Sequence, residues 1–360
     1  MATMVRIGGA VCLLLVACGS SSSPSAPAVD GGEPASSSSG GTSTSSSSGG
    51  TSTSSSSSSG GGPVDAGPDA GDAGGPYFTL RPKIEGVDFN AVAGFDATHV
   101  WAVGTAGKVY FWDGVTWSLL RSGAETWNAV RAVDTQRVYV AGDAGARGCS
   151  FDGGKTWSIT TSPTGASFRA MRAVAATNEV DVAGTDGVVE RTTLDCAAWN
   201  VHVKLGAGKD LNAAFTADRY QTLAVGAKGI VFTNWSTSFS FSDTTVYTAV
   251  WTGRYLTSNG PPRVVLGASG TGLHSIGENE WRSTSFSGQP TPTRINAIWG
   301  LSETRLVAVG EPSATATGNT GGFTAIPNPL TTPTALRGVW GSSDDDVWVV
   351  GAAGTILHHP

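Results

Sequence analysis

Seven copies of one pattern follow Tyr77, and they restrict the fold more than any other feature of the chain. Each copy opens on an aromatic or aliphatic residue, often followed by Asn-Ala-Val or a near variant. A short polar turn leads to a Val-rich run that ends in Gly. In most copies a second Gly follows three residues later. The first copy reads Phe89-Asn90-Ala91-Val92, then Val100-Trp101-Ala102-Val103-Gly104; the last reads Leu336-Arg337-Gly338-Val339, then Val347-Trp348-Val349-Val350-Gly351. The run-ending glycines Gly104, Gly142, Gly184, Gly226, Gly267, Gly310 and Gly351 lie 38–43 residues apart. That period accommodates four short strands per copy. Helical repeats of similar length are excluded, because the segments are rich in Val, Trp and Gly and lack runs of helix formers. The expected fold is all-β, a seven-bladed β-propeller over residues 77–360.

Within a copy, strand A is the Asn-Ala-Val segment and strand B ends at the first Gly. The Gly-x-x-Gly link makes a tight hairpin in which Gly supplies positive φ. Strand C follows, and an Asp-Gly turn leads to strand D near a Trp. The seventh copy ends after strand C. Phe78-Thr79-Leu80-Arg81 resembles the D-strand Trp117-Ser118-Leu119-Leu120-Arg121 and precedes the next strand A by a similar interval. This N-terminal strand is therefore expected to complete the last blade. Closure would leave no open edge for self-association, so a monomer is expected.

Residues 18–76 are nearly pure Ser, Gly, Thr, Pro and Ala. Such a tract cannot bury enough apolar area to offset its ordering entropy and is expected to be a disordered tether. A flexible coil of that length spans roughly 40 Å. Its many hydroxyls leave open a glycosylated stalk. The formal net charge is −6, and five of the acids (Asp30, Glu33, Asp65, Asp69 and Asp72) lie before Tyr77. The repeats are thus close to neutral and lack the basic footprint that nucleic acid requires.

Arg6 precedes an apolar run from Ile7 to Val16, too short to span a bilayer but suited to a signal-peptide core. The run ends Leu15-Val16-Ala17-Cys18, which resembles the bacterial lipobox. The resemblance implies a lipoprotein signal peptide over 1–17, acylation of Cys18, and attachment to the membrane by that lipid. Gly19, rather than Asp, after the Cys points to the outer membrane of the cell envelope.

Ser150-Phe151-Asp152-Gly153-Gly154-Lys155-Thr156-Trp157 matches the Asp-box pattern, and Trp112-Asp113-Gly114-Val115-Thr116-Trp117 is a shortened relative. The chain resembles Asp-box propellers: sialidases, sortilin-type receptors and photosystem II assembly-factor-like proteins. Gly341 to Gly351 also resembles the repeat of bacterial surface-lipoprotein propellers. In that resemblance Ser150, Asp152, Gly154, Thr156 and Trp157 fasten a turn and mark fold rather than chemistry. A sialidase is disfavoured, because Arg294-Ile295 continues with Asn296 inside strand A.

The remaining motifs suggest binding rather than catalysis. No His-Glu-x-x-His, P-loop or Gly-x-Ser-x-Gly occurs. No metal spacing is seen among the histidines, and Asp344-Asp345-Asp346 aligns with solvated A–B turns. No catalytic residue, metal or cofactor is expected. Cys149 and Cys196 lie in neighbouring copies, and export permits a disulfide between them. Directly after the lead residue of strand A come Asn90, Asn128, Arg169, Asn212, Thr248, Asn296 and Arg337. They form either a polar ring facing the channel or a set of bonds between blades. Three residues on come Ala93, Arg131, Arg172, Phe215, Trp251, Trp299 and Trp340, which either stack on a ligand or pack the blades. The expected function is a non-catalytic binding or scaffold module, engaging a protein or polysaccharide through its D–A and B–C loops. A carbohydrate-active enzyme and an assembly factor for a membrane complex are the alternatives.

Overall fold

In a computed structural model, the described residues are 77–218, 221–233, 237–240, 244–253, 261–268, 270–276, 280–288 and 291–360. The leader, Cys18 and the tether lie outside them. The described residues form seven small sheets, one per repeat. We number these blades 1–7 in chain order and label their strands A to D from the inside outward. The A strands are Phe89–Asp96, Trp127–Ala132, Phe168–Val174, Leu211–Asp218, Tyr247–Thr252, Arg294–Ser302 and Leu336–Ser343. Each packs against the A strand of the next blade, and the seventh packs against the first. The fold is a closed seven-bladed β-propeller, as the repeat period predicts.

Strand B shows why the repeats need uninterrupted apolar runs. It is sandwiched between two blades, and its side chains alternate between them with period two. In the strand His99–Gly104, Val100 and Ala102 join a cluster with Trp348 and Val350 of blade 7. Trp101 and Val103 join Trp127, Val138 and Val140 of blade 2. The pattern continues around the ring, so the core consists of seven apolar layers, one in each interblade cleft. Each large side chain buried there contributes roughly 1.5–3 kcal/mol.

The repeat-defining glycines serve a different purpose from the one expected. Gly351 has an extended backbone (φ −164°). A Cβ at Gly104 would lie 1.9 Å from the carbonyl oxygen of Asp88, and one at Gly184 would lie 2.0 Å from that of Ser167. The chain entering strand A passes too close to the end of strand B for any side chain. The left-handed residues are the second and third after this glycine, such as Ala106 (φ 56°) and Gly107 (φ 58°). This pair recurs at Ala144-Gly145, Asp186-Gly187, Lys228-Gly229 and Ala353-Gly354, and gives the tight B–C hairpin the twist it requires.

Blade 7 closes as expected. Thr79–Leu80 pairs antiparallel with Ile356–His359, placing Thr79 opposite His358. Blade 6 departs from the four-strand plan. Ser285–Ser287, in the link from blade 5, runs parallel to the outer strand Gly322–Ala325 and adds a fifth strand. Its Phe286 stacks on Phe323 at 5.2 Å.

Candidate functional site

A β-bulge falls at the same place in all seven A strands. The ladder skips Asn90, Asn128, Arg169, Asn212, Thr248, Asn296 and Arg337. A bulged residue is released from the alternation of its strand, so its side chain can be re-aimed. All seven line one central cavity of about 160 Å³.

These residues bind blade to blade. Asn90 Nδ2 donates to the Trp127 carbonyl at 2.9 Å, and Asn128 Nδ2 donates to that of Phe168 at 3.2 Å. Asn212 donates to the Tyr247 carbonyl at 3.0 Å, the Thr248 hydroxyl to Ile295, and Asn296 to Leu336 at 2.8 Å. In each case the acceptor is the lead residue of the next A strand. Arg169 reaches the side chains of Asn212 (3.2 Å) and Asp210 (3.1 Å) instead. Arg337 closes the circle by donating to Asn90 Oδ1 at 3.0 Å, with Asp88 at 3.6 Å. The two sequence alternatives therefore coexist: the ring lines the channel, and it spends its hydrogen bonds joining the blades.

The second level is mixed: Ala93 is packed in the core between blades 1 and 2, and Phe215 lines the cavity. Trp251, Trp299 and Trp340 pack onto the following blade. Trp251 Nε1 donates to the Gly300 carbonyl at 2.9 Å. A Cβ on Gly341 would lie 2.7 Å from Trp299, and one on Gly94 would lie 2.5 Å from Trp340. Arg172 is buried and fully paired, with Glu179 at 2.6 Å, Asp181, and Thr222 of blade 4 at 3.1 Å. Arg131 lines the cavity, sits 6.0 Å from the Phe215 ring and makes one long bond, Nε to the Met171 carbonyl at 3.4 Å. Burial alone pushes its pKa below the usual arginine range.

Ser150, Asp152, Gly154, Thr156 and Trp157 lie at the C–D turn of blade 2, remote from the cavity. The Ser150 hydroxyl accepts from Gly154 N–H at 2.8 Å, and Trp157 Nε1 donates to the Gly154 carbonyl at 2.7 Å. Asp152 accepts from the Thr156 hydroxyl (2.6 Å) and from its N–H (2.8 Å). These bonds hold its carboxyl down to about 2. Next to this turn the cleft between blades 2 and 3 is cross-linked. Cys149 in strand C of blade 2 forms a disulfide with Cys196 in the C–D turn of blade 3. Arg147 and Glu190 form a buried ion pair in the same cleft, and the Tyr139 hydroxyl donates to the Leu194 carbonyl at 2.6 Å. Desolvation pushes Arg147 down to about 10 and Tyr139 up to about 12.

No family model and no curated protein matches the chain. Solved structures match it as a fold. YCF48 bound to D1 peptide aligns with a TM-score of 0.62 at 16% identity, over 80% of this chain and 97% of that one. YCF48 from Cyanidioschyzon merolae gives 0.61 at 16%, over 78% and 98%. The WD40 β-propeller domain of Doa1 gives 0.62 at 13%, over 78% and 96%. At such identities the likeness establishes the propeller architecture alone.

Two features of the described residues escape the sequence pattern. Asp344 and Asp346 separate: Asp344 pairs with Arg305 at 2.9 Å, while Asp346 accepts from His358 at 2.7 Å. The other is the distribution of exposed large apolar side chains. Phe95 and Leu301 sit at the ends of A strands beside the A–B turns, and Val115, Phe151 and Ile276 occupy C–D turns. In an up-and-down blade these turns share one face, opposite the D–A and B–C loops. Their apolar letters lie in or beside polar turns, where no periodicity singles them out.

Proposed function

We propose that this chain is a non-catalytic protein-binding or assembly-factor scaffold, held at the cell envelope by a lipid on Cys18. The face bearing the A–B and C–D turns carries this reading. It exposes Val115 (82%), Leu301 (61%) and Phe95 (52%) to solvent. Among the described residues, five of the nine exposed large apolar side chains lie on this face, the others being Leu80, Leu119 and Val201 on outer strands and Val246 in a D–A link; such a concentration suits a protein interface. The partner site thus shifts from the D–A and B–C loops to the opposite face. YCF48, of the same fold, binds a D1 peptide, which supports a peptide or protein partner here.

The anchor reading rests on Leu15-Val16-Ala17-Cys18 and the tether that follows it, with Gly19 favouring the outer membrane. Both parts are testable in cells. Cys18→Ser should release the protein from the membrane fraction; retention there would refute lipid anchoring. Crosslinking of the full-length chain in intact cells should yield a protein adduct that Phe95→Ser with Leu301→Ser abolishes and Lys108→Ser on the opposite face spares. Equal crosslinking by both variants would remove this face from consideration.

A further inference from the structure

Within the central cavity one charge has no counterpart. Three arginines line it: Arg131, Arg169 and Arg337. No Asp or Glu does, among the described residues. Arg169 has Asp210 at 3.1 Å, and Arg337 has Asp88 at 3.6 Å. Among the described residues Arg131 has no carboxylate partner. A guanidinium carries five N–H donors, and among the described residues Arg131 makes one hydrogen bond, the 3.4 Å contact from Nε to Met171. The group is nevertheless part-buried rather than displayed on the surface. A part-buried guanidinium with one long protein hydrogen bond is a ready partner for an anion.

The surroundings define what would complete the pair. At the level of Arg131 the A strands contribute Phe215, Trp299 and Trp340 to the cavity wall. The opposite end is the ring of Asn side chains, whose donors already serve the blades. One uncompensated positive charge matches a monovalent anion; a phosphate dianion would need a second free cation, and the other two are engaged. A carboxylate meets the planar donor edge of a guanidinium in bidentate fashion. A cavity of about 160 Å³ is smaller than the roughly 300–1,000 Å³ of drug-sized sites. It suits one small group rather than an extended chain.

We propose that Arg131, with the wall formed by Phe215, Trp299 and Trp340, is a binding pocket for a carboxylate on a compact apolar or aromatic stem. The carboxylate accepts from the Arg131 Nη groups and the stem lies against the rings. The pocket is separate from the exposed turn face and stands or falls without it. Its carboxylate has two possible sources: a free small acid, or the C-terminus of a peptide inserted into the channel.

Binding of benzoate to the full-length protein, followed by thermal shift and by calorimetry, tests the pocket, with benzamide as the neutral isostere. Benzoate should raise the Tm and benzamide should not. Arg131→Met and Arg131→Gln should weaken benzoate binding about tenfold or more, the scale of losing a charge-assisted hydrogen bond. In the absence of ligand, Arg131→Met should keep or raise the Tm, since it removes a part-buried charge that has no carboxylate partner among the described residues. An equal response to benzamide, unchanged benzoate binding by both variants, or a Tm several degrees lower in ligand-free Arg131→Met would overturn the proposal. The last result would make Arg131 a structural residue. A short peptide ending in Phe, with a free or an amidated C-terminus, separates the sources. Tighter binding of the free acid than of benzoate assigns a chain end; binding of benzoate alone assigns a small molecule.

Discussion

The Arg81 guanidinium donates to Nδ1 of His358 at 2.7 Å, linking residues 277 apart in sequence. Arginine has no acceptor, so Nδ1 must be unprotonated and the ring proton sits on Nε2. That proton is donated to Asp346 at 2.7 Å, while the imidazole stacks on Trp348 at 3.8 Å. The residue that follows the first strand, Arg81, thereby sets the tautomer of His358 in the strand Ile356–His359. Arg81→Met and His358→Phe should each cost about 1–2 kcal/mol in urea unfolding. A double-mutant cycle should return a coupling of similar size; strict additivity would mean the two residues merely lie close.

Reducing or removing the Cys149–Cys196 bridge should be more damaging. It closes a 47-residue separation, for which loop-closure entropy predicts about 4 kcal/mol, with losses of about 2–5 kcal/mol typical of native bridges. Equilibrium unfolding with and without dithiothreitol, compared with Cys149→Ser plus Cys196→Ser, measures it. The reduced protein and the double variant should coincide.

The bulge ring predicts a distributed effect. Asn212→Ala and Thr248→Val each strip a donor from the lead carbonyl of the next blade, Tyr247 and Ile295 respectively. Each should cost about 1–2 kcal/mol, the loss expected when a buried acceptor goes unpaired. Asn90→Ala combined with Thr248→Val should be additive, because they serve separate interblade clefts.

Glycine substitutions should separate space from conformation. Gly184→Ala would put a methyl 2.0 Å from the Ser167 carbonyl oxygen, forcing strand A off strand B at about 3 kcal/mol or more. Gly165→Ala meets no atom within 4 Å but has a φ of +67°, and should cost only about 1 kcal/mol. Urea midpoints of the two variants give the comparison.

Asp152 predicts an acid-sensitive contribution. Its folded pKa of about 2 lies below the ordinary 3.8. The turn's stabilisation is therefore complete above the ordinary value and is lost as pH falls through about 2. Asp152→Asn should lower the Tm slightly at neutral pH, since the turn is exposed. The gap from wild type should close on acidification. A gap that persists at the lowest pH would assign the effect to geometry rather than charge.

Much of this architecture is legible in the letters, for identifiable reasons. The blade count follows from Gly104 and its equivalents because close backbone approach leaves no alternative residue. The closing strand at Phe78 to Arg81 is legible because it repeats the form of Trp117 to Arg121. The fifth strand of blade 6 is not: Ser285-Phe286-Ser287 is too short to carry a period, and its parallel pairing is a tertiary choice. The bulges are equally hidden, since an Asn within a strand reads the same whether or not the ladder skips it. In the site, the sequence could align Arg131 with Arg172 but could not distinguish them. Only the placement of Glu179 and Asp181 beside Arg172 leaves Arg131 as the unpaired member.

The pairing of Thr79 with His358 also imposes an order of events. The earliest strand of the domain to be synthesised has its partner at the far end of the chain, 279 residues later. Blades 1 to 6 can assemble as they emerge, but the seventh must wait for the final strand. Until then Trp348 and Phe78, both fully buried in the finished ring, lack their covering. The half-made protein is therefore an open arc with two adhesive ends, and it becomes a sealed object in a single late step. Such a chain would remain unlocked and pliable until then, and loss of the strand Ile356–His359 would leave the arc unsealed.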